Sequence, residues 1–396
     1  MIYREFKDKK LSMLGFGTMR LPTLEDGSVD EAQVEQMIAL AFENGINYFD
    51  TAMPYHGGES ERIVGKILQK YPRESFYLAS KFPGHQVFET YDTEGMFADQ
   101  LKRCGVDYFD FYLLHNVSEA SMDTYTDKRW SIPEYFIRQK QEGKIRHLGF
   151  SSHGDVKMLK EFLDLYGEHM EFCLLQINYL DWTLQDAKAK YELMKERGIP
   201  VMVMEPVRGG ALCNLSKEDT ARLKALRPNE STASFAFRWL QQLENVKVVL
   251  SGMSNAEQMV DNVNTFTDIK PLSEEENEVL MEIAEGMKDS VPCTGCRYCV
   301  DGCPMGLDIP AFIAMYNEFR VAKSLNVSQK IEFMPENKKP SACISCGACV
   351  HSCPQNIDIP HCLAEFSETL AGMPSWREIS KQREEALKKL KTKTAE

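Results

Sequence analysis

Residues 173–204 read CLLQINYLDWTLQDAKAKYELMKERGIPVMVM. Two short apolar runs, 173–178 and 201–204, flank an amphipathic segment, 185–197, that stops before Gly198. Runs of this length suit buried strands, and a glycine directly after an amphipathic segment is typical of a helix end. The stretch therefore predicts two parallel strands joined by a helix.

The same alternation of apolar runs and amphipathic segments extends through the first 290 residues. We count eight strand candidates, at residues 13–17, 48–50, 76–80, 109–114, 146–150, 173–178, 201–204 and 247–250. Helical patterns at 31–44 and 135–142 also end before a glycine. Eight such units fit a closed (β/α)8 barrel in number and length, although an open doubly wound sheet has the same local pattern. The count favours an α/β fold of the barrel kind.

Length and charge limit the kind of protein further. At roughly 150 residues per domain, 396 residues predict two or three domains. A composition of 43% hydrophobic and 27% charged residues is that of a globular chain and excludes a mainly disordered, collagenous or coiled-coil protein. The net charge of -13 repels phosphate backbones and anionic membranes, so we expect neither nucleic acid nor a membrane as a partner. We find no signal-peptide core or membrane span, and we expect a cytoplasmic protein.

The twelve cysteines are distributed unevenly. In the cytoplasm thiols stay reduced, so metal ligands or core residues are expected rather than disulfides. Three cysteines are scattered through the barrel region, and nine lie between residues 293 and 362. This shift predicts a boundary near Ser290, with a barrel at 1–285, a second domain at 286–370 and a charged tail at 371–396.

Two cysteine motifs in the second domain have the spacing of bacterial ferredoxins. The first motif consists of Cys293, Cys296, Cys299 and Cys303, and the second consists of Cys343, Cys346, Cys349 and Cys353. Each motif ends in Cys-Pro, and each is followed by Asp-Ile-Pro, at 308–310 and 358–360, where an Asp cap and an early Pro should start a helix.

In proteins with two clusters, the fourth cysteine of each motif ligates the other cluster. We therefore assign Cys353 to the cluster of the first motif and Cys303 to the cluster of the second. The alternative, a zinc ribbon, uses paired Cys-x2-Cys and needs neither the third cysteine nor the Cys-Pro ending.

The region resembles dicluster ferredoxin domains of the helical kind, because a helical pattern at 311–324 lies between the two motifs. The resemblance implies a smaller, mostly helical ferredoxin-like domain with two 4Fe-4S clusters. It does not specify an electron partner, so a redox partner protein is possible.

Polar residues collect where the predicted barrel strands end, which is where barrel enzymes have their active sites. Asp50, Lys81 and His115 end the second, third and fourth predicted strands, and Tyr55 lies on the loop after Asp50. Each alone has an ordinary explanation, as a helix cap, a solvated lysine, a hydrogen-bonded core histidine or a packing tyrosine. Together they indicate one catalytic site at the barrel mouth.

The barrel region resembles the aldo-keto reductase family over about residues 2–266. The resemblance rests on Phe-Asp-Thr-Ala at 49–52 with Tyr55, Gly-Glu-Ser-Glu at 58–61, Ser-Lys at 80–81 and Leu-Leu-His at 113–115. It implies a TIM barrel that reduces a small carbonyl compound with NADPH or NADH, and a catalytic tetrad of Asp50, Tyr55, Lys81 and His115.

The chemistry of carbonyl reduction agrees with those roles. Tyr55 would be the general acid, and the ammonium of Lys81 would lower its pKa toward the working pH. Asp50 would orient Lys81, and His115 would donate a hydrogen bond to the substrate oxygen.

The resemblance also implies cofactor contacts. Those expected at the nicotinamide are Ser152, His153 and Gln176, and those expected at the dinucleotide turn are Ser251, Gly252, Ser254, Gln258 and Asn262. His153 stands where the family commonly has Asn, and it fits equally a cap before the helix that begins near Asp155.

Two departures from the family pattern bear on the cofactor. Met204 stands where a tyrosine usually stacks on the nicotinamide, and the basic residue that commonly holds the 2'-phosphate is missing. The choice between NADPH and NADH is therefore open. Arg208 is either a pyrophosphate contact or an ordinary surface arginine.

The two predicted domains carry electrons differently, because a nicotinamide transfers two as hydride and each cluster transfers one. A flavin between them, a partner that charges the clusters, or purely structural clusters would each resolve the mismatch. The alternatives to an iron-sulfur reductase are an electron-transfer module on a degenerate barrel and a flavin-dependent redox enzyme fed by the clusters.

Overall fold

The computed structural model describes residues 1–85, 91–322, 325–373, 375 and 378. The chain divides into two compact units, Met1–Lys288 and Asp289–Glu396. The divisions expected after residues 285 and 370 stay predictions. The predicted charged tail at 371–396 falls almost wholly outside the described residues.

In the described residues of the first unit, eight parallel strands, β3 to β10, close into a barrel in chain order, with β10 paired to β3. The strands are β1 Tyr3–Phe6, β2 Lys9–Ser12, β3 Leu14–Gly17, β4 Tyr48–Asp50, β5 Tyr77–Phe82, β6 Phe109–Leu114, β7 Ile145–Ser152, β8 Cys173–Gln176, β9 Val201–Met204 and β10 Val246–Ser251. Closure excludes the open doubly wound sheet and confirms the (β/α)8 fold.

Helices follow the barrel strands. They are α1 Glu31–Glu43, α2 Glu59–Leu68, α3 Thr93–Cys104, α4 Met122–Thr126, α5 Ile132–Gln141, α6 Val156–Tyr166, α7 Asp181–Leu184, α8 Ala187–Glu196, α9 Lys217–Leu226, α10 Thr232–Gln241, α11 Ala256–Thr265 and α12 Glu274–Met287. Several begin at a side chain that accepts a hydrogen bond from the first turn, as Asp155 does from the backbone N–H of Met158 at 2.7 Å. The apolar faces of these helices and the outer faces of the strands form one continuous core.

The hairpin of β1 and β2, which the sequence analysis did not predict, contributes to an inner cluster at one end of the barrel. Phe6 and Leu11 are buried there. The Phe6 ring lies 5.3 Å from that of Phe111 and 6.3 Å from that of Phe172, which immediately precedes β8. Because the hairpin packs near the start of the strands, the opposite end of the barrel, where the strands have their carboxyl ends, is the mouth at which a substrate can bind.

The second unit is helical in its described residues. Its helices are α13 Tyr298–Asp301, α14 Ile309–Ala322, α15 Leu325–Glu332, α16 Ala348–His351 and α17 Ile359–Ala371. Helices α14 and α17 pack against each other, and the rings of Tyr316 on α14 and Phe366 on α17 lie 5.4 Å apart. Asp358 accepts from the backbone N–H of His361 and caps α17, as the Asp-Ile-Pro motif predicts.

Across the described part of the chain, we find no helix whose length and apolar character would let it cross a bilayer.

Candidate active site and cysteine cavities

The barrel places the four predicted catalytic residues at one mouth. Asp50 ends β4, Lys81 lies near the end of β5 and His115 directly follows β6. Tyr55 begins the short 3-10 turn Tyr55–Gly58 after β4. All four side chains are buried, and Lys81 is only 1% exposed.

Lys81 contacts two of the other three residues, Asp50 and Tyr55. Its Nζ donates to Asp50 Oδ1 at 2.5 Å, to the Thr51 carbonyl at 2.8 Å and to Tyr55 Oη at 3.2 Å. The opposite charge of Asp50 compensates an ammonium that burial alone would make costly. Because Tyr55 Oη accepts from Lys81, its own hydrogen is directed elsewhere.

The protonation of Tyr55 differs from expectation. Burial raises its pKa well above the ordinary value for a phenol, and the charges of Asp50 and Glu205 raise it further. The neighbouring ammonium of Lys81 was expected to lower this pKa, but burial has the larger influence in the structure. Tyr55 therefore keeps its proton across the neutral range.

His115 completes the mouth as a neutral group. Burial lowers its pKa well below the ordinary value, and the neighbouring charges of His85, Lys81 and His153 lower it further. Its ring lies 6.2 Å from that of Tyr55 and 4.4 Å from that of His85. Its buried Nδ1 has no hydrogen-bond partner among the described residues. His85 carries no sequence signal apart from its position shortly after Lys81.

The predicted nicotinamide contacts after β7 and β8 lie in different environments. Ser152 Oγ donates to the Val117 carbonyl at 2.6 Å and accepts from the Gly154 N–H at 3.0 Å, so its hydroxyl is engaged within the protein. The capping alternative for His153 is wrong, because Asp155 caps α6. Burial lowers the pKa of His153 to about 3, with a hydrogen bond to Gln176 acting in the opposite direction.

Arg208 is buried rather than on the surface, which corrects the surface alternative. It is 3% exposed, and its Nη2 lies 3.2 Å from Asp181 Oδ1. The other oxygen of Asp181 accepts from Gln176 Nε2 and from Asn178 Nδ2, each at 2.7 Å. Arg208 and Gln176 are thus held by one buried carboxylate.

The predicted dinucleotide turn after β10 is internally hydrogen-bonded. Ser251 Oγ accepts from Asn262 Nδ2 at 2.9 Å, and the Ser254 N–H donates to Gln258 Oε1 at 2.8 Å. A Cβ on Gly252 would lie 3.3 Å from the Cδ atom of Arg20, so glycine leaves room for that side chain.

Arg20 is a cation at this turn that the sequence analysis missed. Its guanidinium lies 3.5 Å from Glu205 Oε1, and its carbonyl accepts from Ser254 Oγ at 2.9 Å. Arg20 and the turn are more than 200 residues apart in sequence, and only closure of β10 onto β3 brings them together.

The second unit contains two cavities that cysteines line. Each leaves about 330 Å³ free of protein atoms, part of it continuous with solvent. The cysteines around the first cavity are Cys293, Cys296, Cys299 and Cys353. The cysteines around the second are Cys303, Cys343, Cys346 and Cys349. These are the crossed groups that the spacing predicts.

The cysteines in each cavity influence one another's ionisation. Burial raises the pKa of Cys299, and charge on Cys296, Cys293 and Cys353 raises it further. Four thiolates so placed repel one another unless a cationic group lies between them, as soft iron does in a cluster. Four cysteines around one cavity are the donor set that a 4Fe-4S cluster uses, and each of the two cavities has such a set.

Comparison with protein-family models identifies both units. Residues 13–285, more than half of the chain, match the aldo/keto reductase family. Residues 292–357 match a 4Fe-4S dicluster domain.

Individual relatives match the first unit. An NADH-specific methylglyoxal reductase of Escherichia coli is 26% identical over 340 residues, covering 71% of this chain and 97% of the relative. L-galactose dehydrogenase of Arabidopsis thaliana is 27% identical, covering 69% of this chain and 90% of its own.

Solved structures share the barrel. The holo form of aldo-keto reductase AKR11C1 from Bacillus halodurans superposes with a TM-score of 0.57 at 28% identity, covering 72% of this chain and 96% of that one. An aldo/keto reductase of Klebsiella pneumoniae in complex with NADP and acetate has a TM-score of 0.58 at 20% identity, covering 70% and 93%. The protein is an oxidoreductase that belongs to the aldo/keto reductase family and carries a C-terminal 4Fe-4S dicluster domain.

Proposed function

We propose that the barrel reduces a small carbonyl compound with NADH or NADPH, with Tyr55 as the proton donor. The observation that supports this most strongly is the contact of buried Lys81 with both Asp50 and Tyr55. A buried ammonium on a phenol oxygen stabilises the negative charge that appears there when the proton leaves.

When bound, the nicotinamide would supply a hydride to the carbonyl carbon. Tyr55 and His115 would hold the carbonyl oxygen between them. As that oxygen becomes an alkoxide, Tyr55 would transfer its Oη proton to it, and Lys81 would stabilise the phenolate left behind. The raised pKa of Tyr55 suits this direction, since the phenol stays protonated until a much stronger base is formed.

We propose that His153 and Gln176 hold the carboxamide of the nicotinamide, and that Arg208 and the turn of Ser251, Gly252, Ser254, Gln258 and Asn262 hold the phosphates. Arg20 would add positive charge at that turn. Because the Escherichia coli relative is named NADH-specific, NADH is the first cofactor to test.

In the second unit we propose two 4Fe-4S clusters, one in each cysteine cavity. The crossed lining of the cavities supports this assignment. We propose that the clusters exchange single electrons with a partner redox protein, since a hydride cannot be divided between them without an intermediate carrier such as a flavin.

The test is anaerobic purification with iron, sulfide and flavin analysis, followed by carbonyl-dependent oxidation of NADH and NADPH. Tyr55→Phe should reduce the rate by at least about 10²-fold, because the proton donor is lost. Tyr48→Phe is the matched control, since it removes another buried hydroxyl, which donates to Met202 Sδ. Wild-type activity in Tyr55→Phe would refute the assignment, and bound flavin would favour the flavin-dependent alternative.

A further inference from the structure

Glu61 on α2 is a buried charged residue that the proposed mechanism leaves unused. Its carboxylate is 0% exposed. Oε1 accepts from Ser80 Oγ and from Gln100 Nε2, each at 2.6 Å. Oε2 accepts from Arg103 Nε at 2.8 Å. A charge in this position is costly unless every lone pair is used in this way.

The hydrogen bonds of Glu61 lead to the backbone of Lys81. Gln100 Nε2, which donates to Glu61, also donates to the Lys81 carbonyl at 3.0 Å. Ser80, the other donor, immediately precedes Lys81 on β5. Tyr112 on β6 donates to Gln100 Oε1. The segment of β5 that carries Lys81 is therefore held from α2, α3 and β6.

Titratable groups surround Lys81 on both sides of its strand. Asp50, Tyr55 and His115 face it at the mouth, and Glu61 lies behind it, with Arg103, Cys104 and Tyr112 around Glu61. Burial lowers the pKa of Lys81, whereas Asp50 and then Glu61 raise it. Charge thus alternates from Asp50 through Lys81 and Glu61 to Arg103.

We propose that Glu61 is a positioning residue that fixes Lys81 from behind the strand and keeps it in the ammonium form. The proposal rests on the role of Lys81 under the proposed function. It explains why a carboxylate is buried where an apolar side chain would cost less.

The test compares two variants that each remove one charge, a negative one in Glu61→Gln and a positive one in Arg103→Gln. Glu61→Gln removes a negative charge, so the pKa of Lys81 should fall and the alkaline loss of kcat should move to lower pH by on the order of one unit. Arg103→Gln leaves the charge of Glu61 less compensated, so the alkaline loss should move to higher pH. Glu61→Asp retains the charge and should restore the wild-type pH dependence.

A merely structural role would give a different result. Glu61→Gln and Arg103→Gln would then each lose rate by the same factor at every pH and would also lose stability. The pH at which kcat falls on the alkaline side would not move, and the proposal would be wrong. Direct NMR titration of the labelled lysine, assigned with Lys81→Met, measures the same shift without turnover. An absence of carbonyl reduction in the wild type would refute the proposed function alone, and an unshifted lysine titration in Glu61→Gln would refute this inference alone.

Discussion

The barrel mouth and the cysteine cavities differ in how their charged groups interact. At the mouth, Lys81 lies between Asp50 and Tyr55, so unlike charges attract and the site is assembled from protein groups alone. In the second unit, cysteines line each cavity, and charge on one of them disfavours charge on its neighbours. The barrel site is thus preorganised by its own contacts, and we expect the second unit to depend on the group that its cysteines hold.

The largest expected effect follows from removing iron. Anaerobic chelation should abolish the protection of α14 and α17 against hydrogen exchange, because the thiolates then repel, while the barrel strands stay protected. Hydrogen exchange with mass spectrometry measures both regions in one sample. Unchanged protection of α14 and α17 in iron-free protein would contradict the metal dependence of this unit.

The crossed ligation gives a sharper form of the same comparison. Cys353→Ala and Cys303→Ala should each remove one cluster, and each should lower the iron content by about half. The EPR signals of the two variants should differ, because different clusters are lost. Cys362→Ala, outside both cavities, is the control and should keep all the iron. Loss of the same signal in both variants would refute the crossed assignment.

At the barrel mouth, Lys81→Met should separate stability from catalysis. The variant leaves Asp50 buried without its partner and should lower the free energy of unfolding by about 3–5 kcal/mol. Adding Asp50→Asn should restore much of that stability in urea unfolding, but not the rate. If Lys81→Met unfolds at the wild-type urea concentration, the ion pair is not the stabilising contact described above.

A smaller effect concerns pH. Because burial raises the pKa of Tyr55, the phenol is protonated throughout the neutral range, and the Tyr55 ionisation should not limit reduction there. The reverse oxidation of an alcohol needs the phenolate beside the Lys81 ammonium, so its rate should rise with pH until Lys81 loses its proton. Rates of kcat/KM in both directions between about pH 6 and 10 check this. A fall in reduction as the pH rises through the neutral range, assigned to Tyr55, would contradict the raised pKa.

The barrel was predictable because strands buried on both faces read as apolar runs. The predicted strand at 76–80 stopped too early, since β5 runs to Phe82 and includes Lys81, whose charge is compensated inside the protein. The β1–β2 hairpin was missed because its short strands mix charged residues with the buried Phe6 and Leu11. A charged residue in the sequence therefore does not mark an exposed position when a partner of opposite charge is buried with it, as Asp50 is with Lys81.

The candidate site was predictable only in part. Strand ends and cysteine spacing carry local signals, and they indicated the residues that the structure brings together. Arg20 and Glu205 meet through barrel closure, and no local pattern marks such a pair. The raised pKa of Tyr55 depends on how deeply the folded mouth buries it, which residue spacing does not encode.

The most direct test of chemistry at the barrel mouth uses NADH carrying deuterium at the transferable position of its nicotinamide. Direct reduction beside Tyr55 predicts one deuterium on the former carbonyl carbon of each product molecule, with transfer reduced by at least about 10²-fold in Tyr55→Phe. Product without deuterium, formed equally well by Tyr55→Phe, would contradict the account and show that the electrons reach the substrate by another route.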